Sequence, residues 1–184
     1  MNGFARFWGH LSTITHHRHL VIAHAYKAGI LLQALGHDLS KYSPTEFIPG
    51  VRYYSGHKSP TEGERRTLGY SAAWMHHKGR NRHHWEYWTD LSEKTHRYVS
   101  MPMPPRYLAE MICDRMAAGK TYLGKRYHDG APLAYLRSGP MKDAMHPSTG
   151  EMLERFLIQL RDEGEDAMFA ALRRYVHDGK GETT

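Results

Sequence analysis

The tetrapeptide Ser-Pro-Thr-Glu occurs twice in this chain, at residues 43–46 and 59–62. In each copy the serine can cap a helix, and proline and glutamate suit the first and third helical positions, so each copy predicts a helix start. We expect the helix from the second copy to run to about His77 and to stop at Gly79. No stretch alternates apolar and polar residues long enough to predict a strand. The predicted fold class is therefore all-α.

Helical periodicity extends over most of the remaining chain. Thr13 or Thr15 can cap a helix that runs through the sequence HHRHLVIAHAYKA and stops at Gly29. The segment 78–105 is predicted to be a long connection with short turns, which in a compact domain usually carries function. Further helices are predicted at about 105–125, 132–137, 148–163 and 165–177.

Length and composition favour one compact domain. The chain has 184 residues, of which 40% are hydrophobic, enough for a single core. Its one cysteine, Cys113, excludes an internal disulfide and fits a reducing compartment. No apolar run approaches the length of a membrane span, and the N-terminal sequence lacks the features of a secretory signal. We therefore expect a cytoplasmic protein without a membrane partner.

The charge of the chain is unevenly distributed. Residues 1–150 carry 20 basic and 11 acidic side chains, a net charge of +9, whereas residues 151–184 carry 5 and 8, a net charge of −3. A basic body predicts an anionic partner, either a phosphorylated small molecule or a nucleic acid.

Histidine is the residue type that points to chemistry. The chain has 15 histidines, and ten of them lie between residues 16 and 84. The adjacent His37 and Asp38 supply a nitrogen and an oxygen ligand, a combination that suits a first-row divalent metal. Taken alone, the pair could equally be a helix-capping aspartate beside a surface histidine.

Two other parts of the chain strengthen the metal hypothesis. His17 and His24 share an apolar helix face that ends shortly before the His-Asp pair, although a histidine on such a face is commonly a hydrogen-bonded core residue. Asp114 stands in the apolar helical sequence YLAEMICDRMAA, where a buried carboxylate must be paired, hydrogen-bonded or metal-bound. An ion pair with a lysine or arginine is the structural alternative for Asp114.

A histidine on one helix, a His-Asp pair after it and a later helical aspartate resemble the HD superfamily of metal-dependent phosphohydrolases. The sequence GHDLSKYSPTEF is similar to the superfamily's HD helix and the lysine that often follows it, and ICDRMAAG is similar to its terminal aspartate helix. The chain also looks like small uncharacterised bacterial and phage members with an HDLSK-SPTEF stretch. The resemblance covers residues 13–125 and implies one HD-like helical bundle over 1–184, with C-terminal helices at about 131–178.

The resemblance implies a ligand set for a divalent transition metal: Mn, Fe, Co, Ni or Zn. By position, the ligands are His17, His37, Asp38 and Asp114, with His24 left open as the alternative first histidine. Some superfamily members hold two metals with additional middle histidines. One metal is expected, and a second is left open. Besides His24, four further histidines are candidates for a second metal or for a wall of the site: His76, His77, His83 and His84.

The activity implied by the resemblance is hydrolysis of a phosphoester, for example in a nucleotide. Asp38, Lys41 and Asp114 are the expected catalytic residues, and an anionic small molecule is the expected substrate. Charge-assisted hydrogen bonds to its phosphate are expected from basic side chains near the motifs: Lys41, Arg80, Arg82 and Arg115.

Two other function classes stay open at this stage. Some relatives of the HD fold are di-iron oxygenases, which need about six ligands that the middle histidines could complete. A nucleic-acid-binding module is the other class, with basic and aromatic contacts from the sequence HKGRNRHHWEYW at residues 77–88. Metal content separates the classes, because a binding module needs no metal. The sequence does not specify the oligomeric state.

Overall fold

The computed structural model describes residues 1–179, and within that range it is all-α apart from one small hairpin, which confirms the predicted fold class. The hairpin is antiparallel and pairs Thr89 with Ser100. Short 3₁₀ turns cover Leu39–Tyr42, Trp85–Tyr87 and Gly124–Arg126. The elements, in chain order, are α1 (Gly3–Ala28), α2 (Leu31–Ala34), α3 (Pro44–Arg52), α4 (Pro60–Leu68), α5 (Ala72–Lys78), β1 (Thr89–Leu91), β2 (Tyr98–Ser100), α6 (Pro105–Leu123), α7 (Ala131–Arg137), α8 (Met141–Ala144) and α9 (Pro147–Asp178).

The core lies where α1, α6 and α9 pack against one another. Val21 from α1, Ile112 and Met116 from α6 and Leu157 from α9 are fully buried there. Burial of each large apolar side chain contributes about 1.5–3 kcal/mol, so these three helices form the stable frame of the fold. No helix among residues 1–179 is both long enough and apolar enough to cross a membrane.

Helix α1 begins at Gly3, well before the start that the threonine caps predict. The side chain of Asn2 accepts a hydrogen bond from the backbone N–H of Ala5 and caps the helix instead. The Thr13 hydroxyl donates to the carbonyl of Gly9, four residues earlier, as a threonine inside a helix does. The same hydroxyl lies 2.9 Å from the Tyr54 hydroxyl. The predicted stop at Gly29 is confirmed, since its φ of 77° is left-handed and its N–H caps the last turn.

The two Ser-Pro-Thr-Glu copies start α3 and α4 as predicted, although neither serine side chain caps its helix. The prediction that the second helix continues to His77 was wrong. Helix α4 ends at Leu68 and is capped by Gly69, whose φ is 80°. Helix α5 begins after Ser71, whose hydroxyl accepts from the N–H of Trp74. A new cap within a few residues of a left-handed glycine divides the segment into two short helices.

The C-terminal half follows the predicted pattern more closely. Helices α6 and α7 lie near their expected positions, and the two predicted C-terminal helices meet at Gly164, where φ is 83° and ψ is 177°. The predicted long connection contains a 3₁₀ turn and the small hairpin. Helix α8 and the two strands were not predicted, because three or four residues show no periodicity.

Candidate metal centre

Four side chains from three parts of the chain meet beside the core, and we call them the first donor set: His17, His37, Asp38 and Asp114. One ligand atom of each lies within 4.8 Å of the others. Nε2 of His17 is 2.9 Å from Oδ1 of Asp114, and Nε2 of His37 is 3.3 Å from Oδ2 of Asp38. Ligand bonds to first-row metals are about 2.0–2.2 Å long, so donor atoms at these separations can share one ion.

A second donor set shares one residue with the first and consists of Asp38, His77, His83 and His84. Oδ1 of Asp38 lies 3.2 Å from Nε2 of His77 and 3.5 Å from Nε2 of His83. The other carboxylate oxygen, Oδ2, faces the first donor set. The arrangement can therefore hold two ions with Asp38 between them.

Six of the donor atoms are buried and form no well-oriented hydrogen bond within the described residues, although Oδ2 of Asp38 lies in an ion pair with Nζ of Lys41. Buried polar atoms without a partner are rare in folded proteins, and each calls for an explanation. A metal ion would satisfy all of them, and imidazole with carboxylate suits manganese, iron, cobalt, nickel or zinc. These atoms are Nε2 of His17, His37, His83 and His84 and both carboxylate oxygens of Asp38.

The His-Asp pair owes its geometry to a left-handed turn. The N–H of His37 bonds to the carbonyl of Ala34, 3.0 Å away, where α2 ends. Asp38 then adopts a φ of 56°, a conformation that aspartate tolerates better than most residues. Through this turn two adjacent side chains both reach the same interior site.

Two buried glutamates orient the histidines. Oε1 of Glu110 lies 2.9 Å from Nδ1 of His37 and 3.3 Å from Nδ1 of His83. Oε2 of Glu46 lies 2.7 Å from Nδ1 of His77, and Oε1 of Glu46 lies 2.6 Å from Nδ1 of His76. A carboxylate on Nδ1 leaves Nε2 of the ring for a metal.

Sequence reasoning missed both glutamates. The sequence predicts Glu46 to be part of a capping box, whereas its side chain contacts histidines of α5. Glu110 precedes Asp114 by one helical turn and therefore lies on the same face of α6, inside the same apolar window. That spacing is the signal that could have identified it.

The charges of the cluster favour ionised carboxylates. Burial opposes ionisation of Asp38, but His37, Lys41 and His77 outweigh it and hold the pKa of Asp38 well below its usual value. Burial likewise opposes ionisation of Asp114, and its contact with His17 holds that pKa well below the usual value. Both aspartates are therefore present as carboxylates, the form that binds metal.

His24 and His76 lie outside both donor sets. Nδ1 of His24 is 3.3 Å from the carbonyl of Cys113, and its Nε2 is 3.0 Å from Nζ of Lys120. Between the two histidines left open by the sequence, the structure thus places His17 in the first donor set. His76 is held by Glu46 and is partly exposed.

The expected phosphate-binding residues divide into two groups. Lys41 and Arg115 line a cavity at the donor sets, and Nζ of Lys41 is 2.5 Å from Oδ2 of Asp38. Arg80 and Arg82 are exposed and do not line this cavity, contrary to the expectation. Arg80 donates back to the carbonyl of His76, 3.4 Å away, and the Arg82 guanidinium is held at the rings of Tyr87 and Tyr107. The loop that carries both arginines therefore reaches the site only through His83 and His84.

The cavity has a volume of about 610 Å³ and is bordered by members of both donor sets, including His17, His84 and Asp114. Aromatic side chains contribute part of its walls, as do basic side chains. A cavity of this size accommodates a small molecule. Its basic lining residues besides Lys41 and Arg115 are His57, Lys58 and Arg65.

A comparison with known proteins assigns the chain to a family but not to an activity. A search of curated proteins and a search of solved structures each give no match. One family model, described as "Family of unknown function (DUF5662)", matches residues 6–159, which include every member of both donor sets. Because this match covers most of the sequence, the chain belongs to the DUF5662 family.

Proposed function

We propose that this protein is a metal-dependent phosphohydrolase built on an HD-like helical bundle and acting on a phosphoester. The observation that carries the proposal is the pair of donor sets that share Asp38 and border a cavity whose lining includes Lys41 and Arg115. A bound divalent ion would polarise a phosphoryl oxygen and lower the pKa of a water ligand. The order of His17, the His37-Asp38 pair and Asp114 supports the same reaction class through its resemblance to the HD superfamily.

The side chains around the donor sets have distinct roles in this proposal. Lys41 and Arg115 bind the phosphate and offset the negative charge that develops on it. The guanidinium of Arg115 contacts the sulfurs of Met111 and Met141 and lines the cavity, where it can meet an anionic ligand. Asp114 is the carboxylate that orients the attacking water, since it lies at the edge of the cavity.

The aromatic walls of the cavity favour a nucleotide among phosphoesters. Trp74, Trp85 and Tyr122 line it, and a base can stack on such rings. Trp85 also packs against the core, which holds its ring in place. A phosphorylated nucleoside and the single buried cysteine both fit a cytoplasmic protein.

The test is a panel of phosphomonoesters, phosphodiesters and nucleotides, assayed without oxygen in the presence of Mn²⁺, Fe²⁺, Co²⁺, Ni²⁺ or Zn²⁺. We expect phosphate or nucleoside release with at least one metal, and loss of this activity in Asp38→Asn. Arg82→Ala serves as the control, because Arg82 lies outside the cavity. Absence of turnover across the panel, in protein shown to contain metal, would reject the proposal.

A second candidate function is a di-iron oxygenase, and the observation that favours it is the second donor set. Two ion positions that share one carboxylate are also what a di-iron site requires. Two irons per chain, a charge-transfer band in the visible region and substrate-dependent consumption of O₂ would favour this candidate. Metal-dependent hydrolysis under anaerobic conditions would exclude it as the main activity.

A further inference from the structure

We infer that Glu110 is a positioning residue that fixes the tautomer of one histidine from each donor set. The inference rests on the proposed metal centre and adds to it a residue outside the two donor sets, although Glu110 with His37 and His83 also forms a group whose ligand atoms lie within 4.8 Å of one another. Glu110 is buried in α6, and a single oxygen of its carboxylate, Oε1, meets both His37 and His83.

Two histidine rings meet at one carboxylate oxygen of Glu110. Nδ1 of His37 and Nδ1 of His83 lie 2.9 Å and 3.3 Å from Oε1 of Glu110, and the ring centroids are 4.3 Å apart. A carboxylate oxygen only accepts, so both Nδ1 atoms must carry the proton. A neutral imidazole protonated at Nδ1 has its lone pair on Nε2. Nε2 is the atom that each ring directs into a donor set and that has no hydrogen-bond partner.

The other oxygen of Glu110 contacts a side chain of α2. Oε2 accepts a hydrogen bond from the amide nitrogen of Gln33. The amide oxygen of Gln33 accepts from Nε of Arg106, 2.5 Å away, and the amide nitrogen also donates to the Arg106 carbonyl, 3.2 Å away. Because a guanidinium only donates, it fixes which way the Gln33 amide points. Residue 110 must therefore accept on both of its terminal atoms.

A glutamine at position 110 cannot meet this requirement. It has one accepting oxygen and one donating nitrogen, so either the histidines or Gln33 would face a donor. Turning Gln33 over does not resolve the conflict, because its nitrogen would then face Arg106. Exchanging the two residue types resolves the conflict at residue 110, although the carboxylate at position 33 then loses the hydrogen bond to the Arg106 carbonyl. The carboxylate at position 33 then accepts from Arg106 and from the amide nitrogen at position 110, and the amide oxygen at position 110 remains for the histidines.

Glu46 provides the matched control. Its two oxygens each contact one histidine, and only His77 belongs to a donor set. A glutamine at position 46 can keep its oxygen on His77 and direct its nitrogen to the partly exposed His76. Replacing glutamate by glutamine is therefore expected to weaken metal binding slightly at residue 46 and strongly at residue 110.

The experiment compares the full-length wild-type chain with E110Q, E46Q and the exchange variant Q33E/E110Q. Zn²⁺ affinity is measured by competition with a chelating dye, and the Nδ1–H protons of His37 and His83 are recorded by NMR in the zinc-loaded protein. We expect E110Q to weaken Zn²⁺ binding about 10- to 100-fold, as loss of a ligand-orienting carboxylate typically does. E46Q should stay within a few-fold of the wild type, and the exchange should recover most of the affinity.

The outcomes separate this inference from the metal centre itself. A wild-type chain that binds no Zn²⁺, Mn²⁺ or Fe²⁺ overturns the proposed centre. A wild-type chain that binds Zn²⁺ but shows no exchange-protected Nδ1–H on His37 and His83 overturns the role of Glu110. Unchanged Zn²⁺ affinity in folded E110Q also overturns the role of Glu110. If E110Q does not fold, recovery of both affinity and Nδ1–H signals in the exchange variant supports the inference, and a folded exchange variant with weak binding rejects it.

Discussion

Nε2 of His77 lies 3.2 Å from Oδ1 of Asp38, although His77 stands in the last turn of α5 and Asp38 in a left-handed turn before α3. This contact attaches the short helix α5 to the first donor set. It also makes Asp38 the one side chain on which both sets depend.

The shared carboxylate leads to a prediction about metal content. After dialysis against Mn²⁺ or Zn²⁺, we expect two ions per wild-type chain, one in His84→Ala and none in Asp38→Ala. His19→Ala is the control, since His19 is an exposed residue of the same helix as His17. Elemental analysis by mass spectrometry gives the counts. Two ions retained in Asp38→Ala would contradict the shared site.

Removing the metal should destabilise the protein. An ion that binds only the folded state stabilises it by about 2.7 kcal/mol when its free concentration is 100 times Kd. We therefore expect a chelator to lower the thermal unfolding temperature of the wild type and to leave that of Asp38→Ala unchanged. Equal shifts in the two proteins would show that the chelator acts elsewhere.

Lys41 and Arg80 form a matched pair for substrate binding. Lys41 lines the cavity beside Asp38, whereas Arg80 is exposed and outside it. If the chain hydrolyses phosphoesters, Lys41→Gln should lower kcat/KM on the order of 10²-fold, the typical effect of losing a group that stabilises developing charge. Arg80→Ala should stay within about twofold. Equal losses in the two variants would argue against a specific role for Lys41.

His24 predicts how stability depends on pH. Burial lowers the pKa of His24 to about 4, and the nearby Lys120 acts in the same direction. Because the pKa is lower in the folded state than the usual value near 6.5, the unfolded chain binds the proton more readily. The contribution to stability is complete above pH 6.5 and falls as pH drops toward 4, by about 3 kcal/mol.

Urea unfolding of metal-free wild type and His24→Gln at pH 7, 6 and 5 tests this prediction. The stability of the wild type should decline more steeply with falling pH than that of the variant. Parallel declines would mean that other groups, such as His10, account for the pH dependence; burial also lowers the pKa of His10 to about 4.

Gly164 is predicted to be required at the break within α9. Its φ of 83° is left-handed, and only glycine adopts this conformation with ψ near 177° at no steric cost. Gly164→Ala should destabilise the protein by about 1 kcal/mol or more. Gly139→Ala is the control, because its Cβ would meet nothing within 4 Å and its φ is not left-handed. The urea midpoint measures both, and equal midpoints would reject the prediction.

The sequence predicts those parts of the fold that local signals control. The all-α class, the stop at Gly29 and the break near Gly164 follow from periodicity and from glycines with left-handed φ. The break at Gly69 was missed, because the segment on either side of it keeps helix-forming residues and the decisive cap, Ser71, lies beyond it.

The candidate ligands could be predicted from the sequence, but the residues that support them could not. The side chains of His17, His37, Asp38 and Asp114 are of types that bind metal, and their order resembles a known pattern. Glu46 contacts histidines 30 and 31 positions away, and Glu110 contacts histidines 27 and 73 positions away. The spacing to Asp114 indicates the helix face of Glu110 but not these partners. Charge alone also misplaced Arg80 and Arg82, since basic residues of one loop can face opposite directions.

The two donor sets are carried by different kinds of secondary structure. The first takes His17 and Asp114 from α1 and α6, two long helices of the core, whereas the second takes His83 and His84 from a connection without regular structure. His17 and Asp114 are thus fixed by the packing of the core helices, whereas His84 depends on a short loop, in which His83 is held by its contact with Glu110. Loading should follow a fixed order, with the helix-borne position filled at lower metal concentration and the loop-borne position following it.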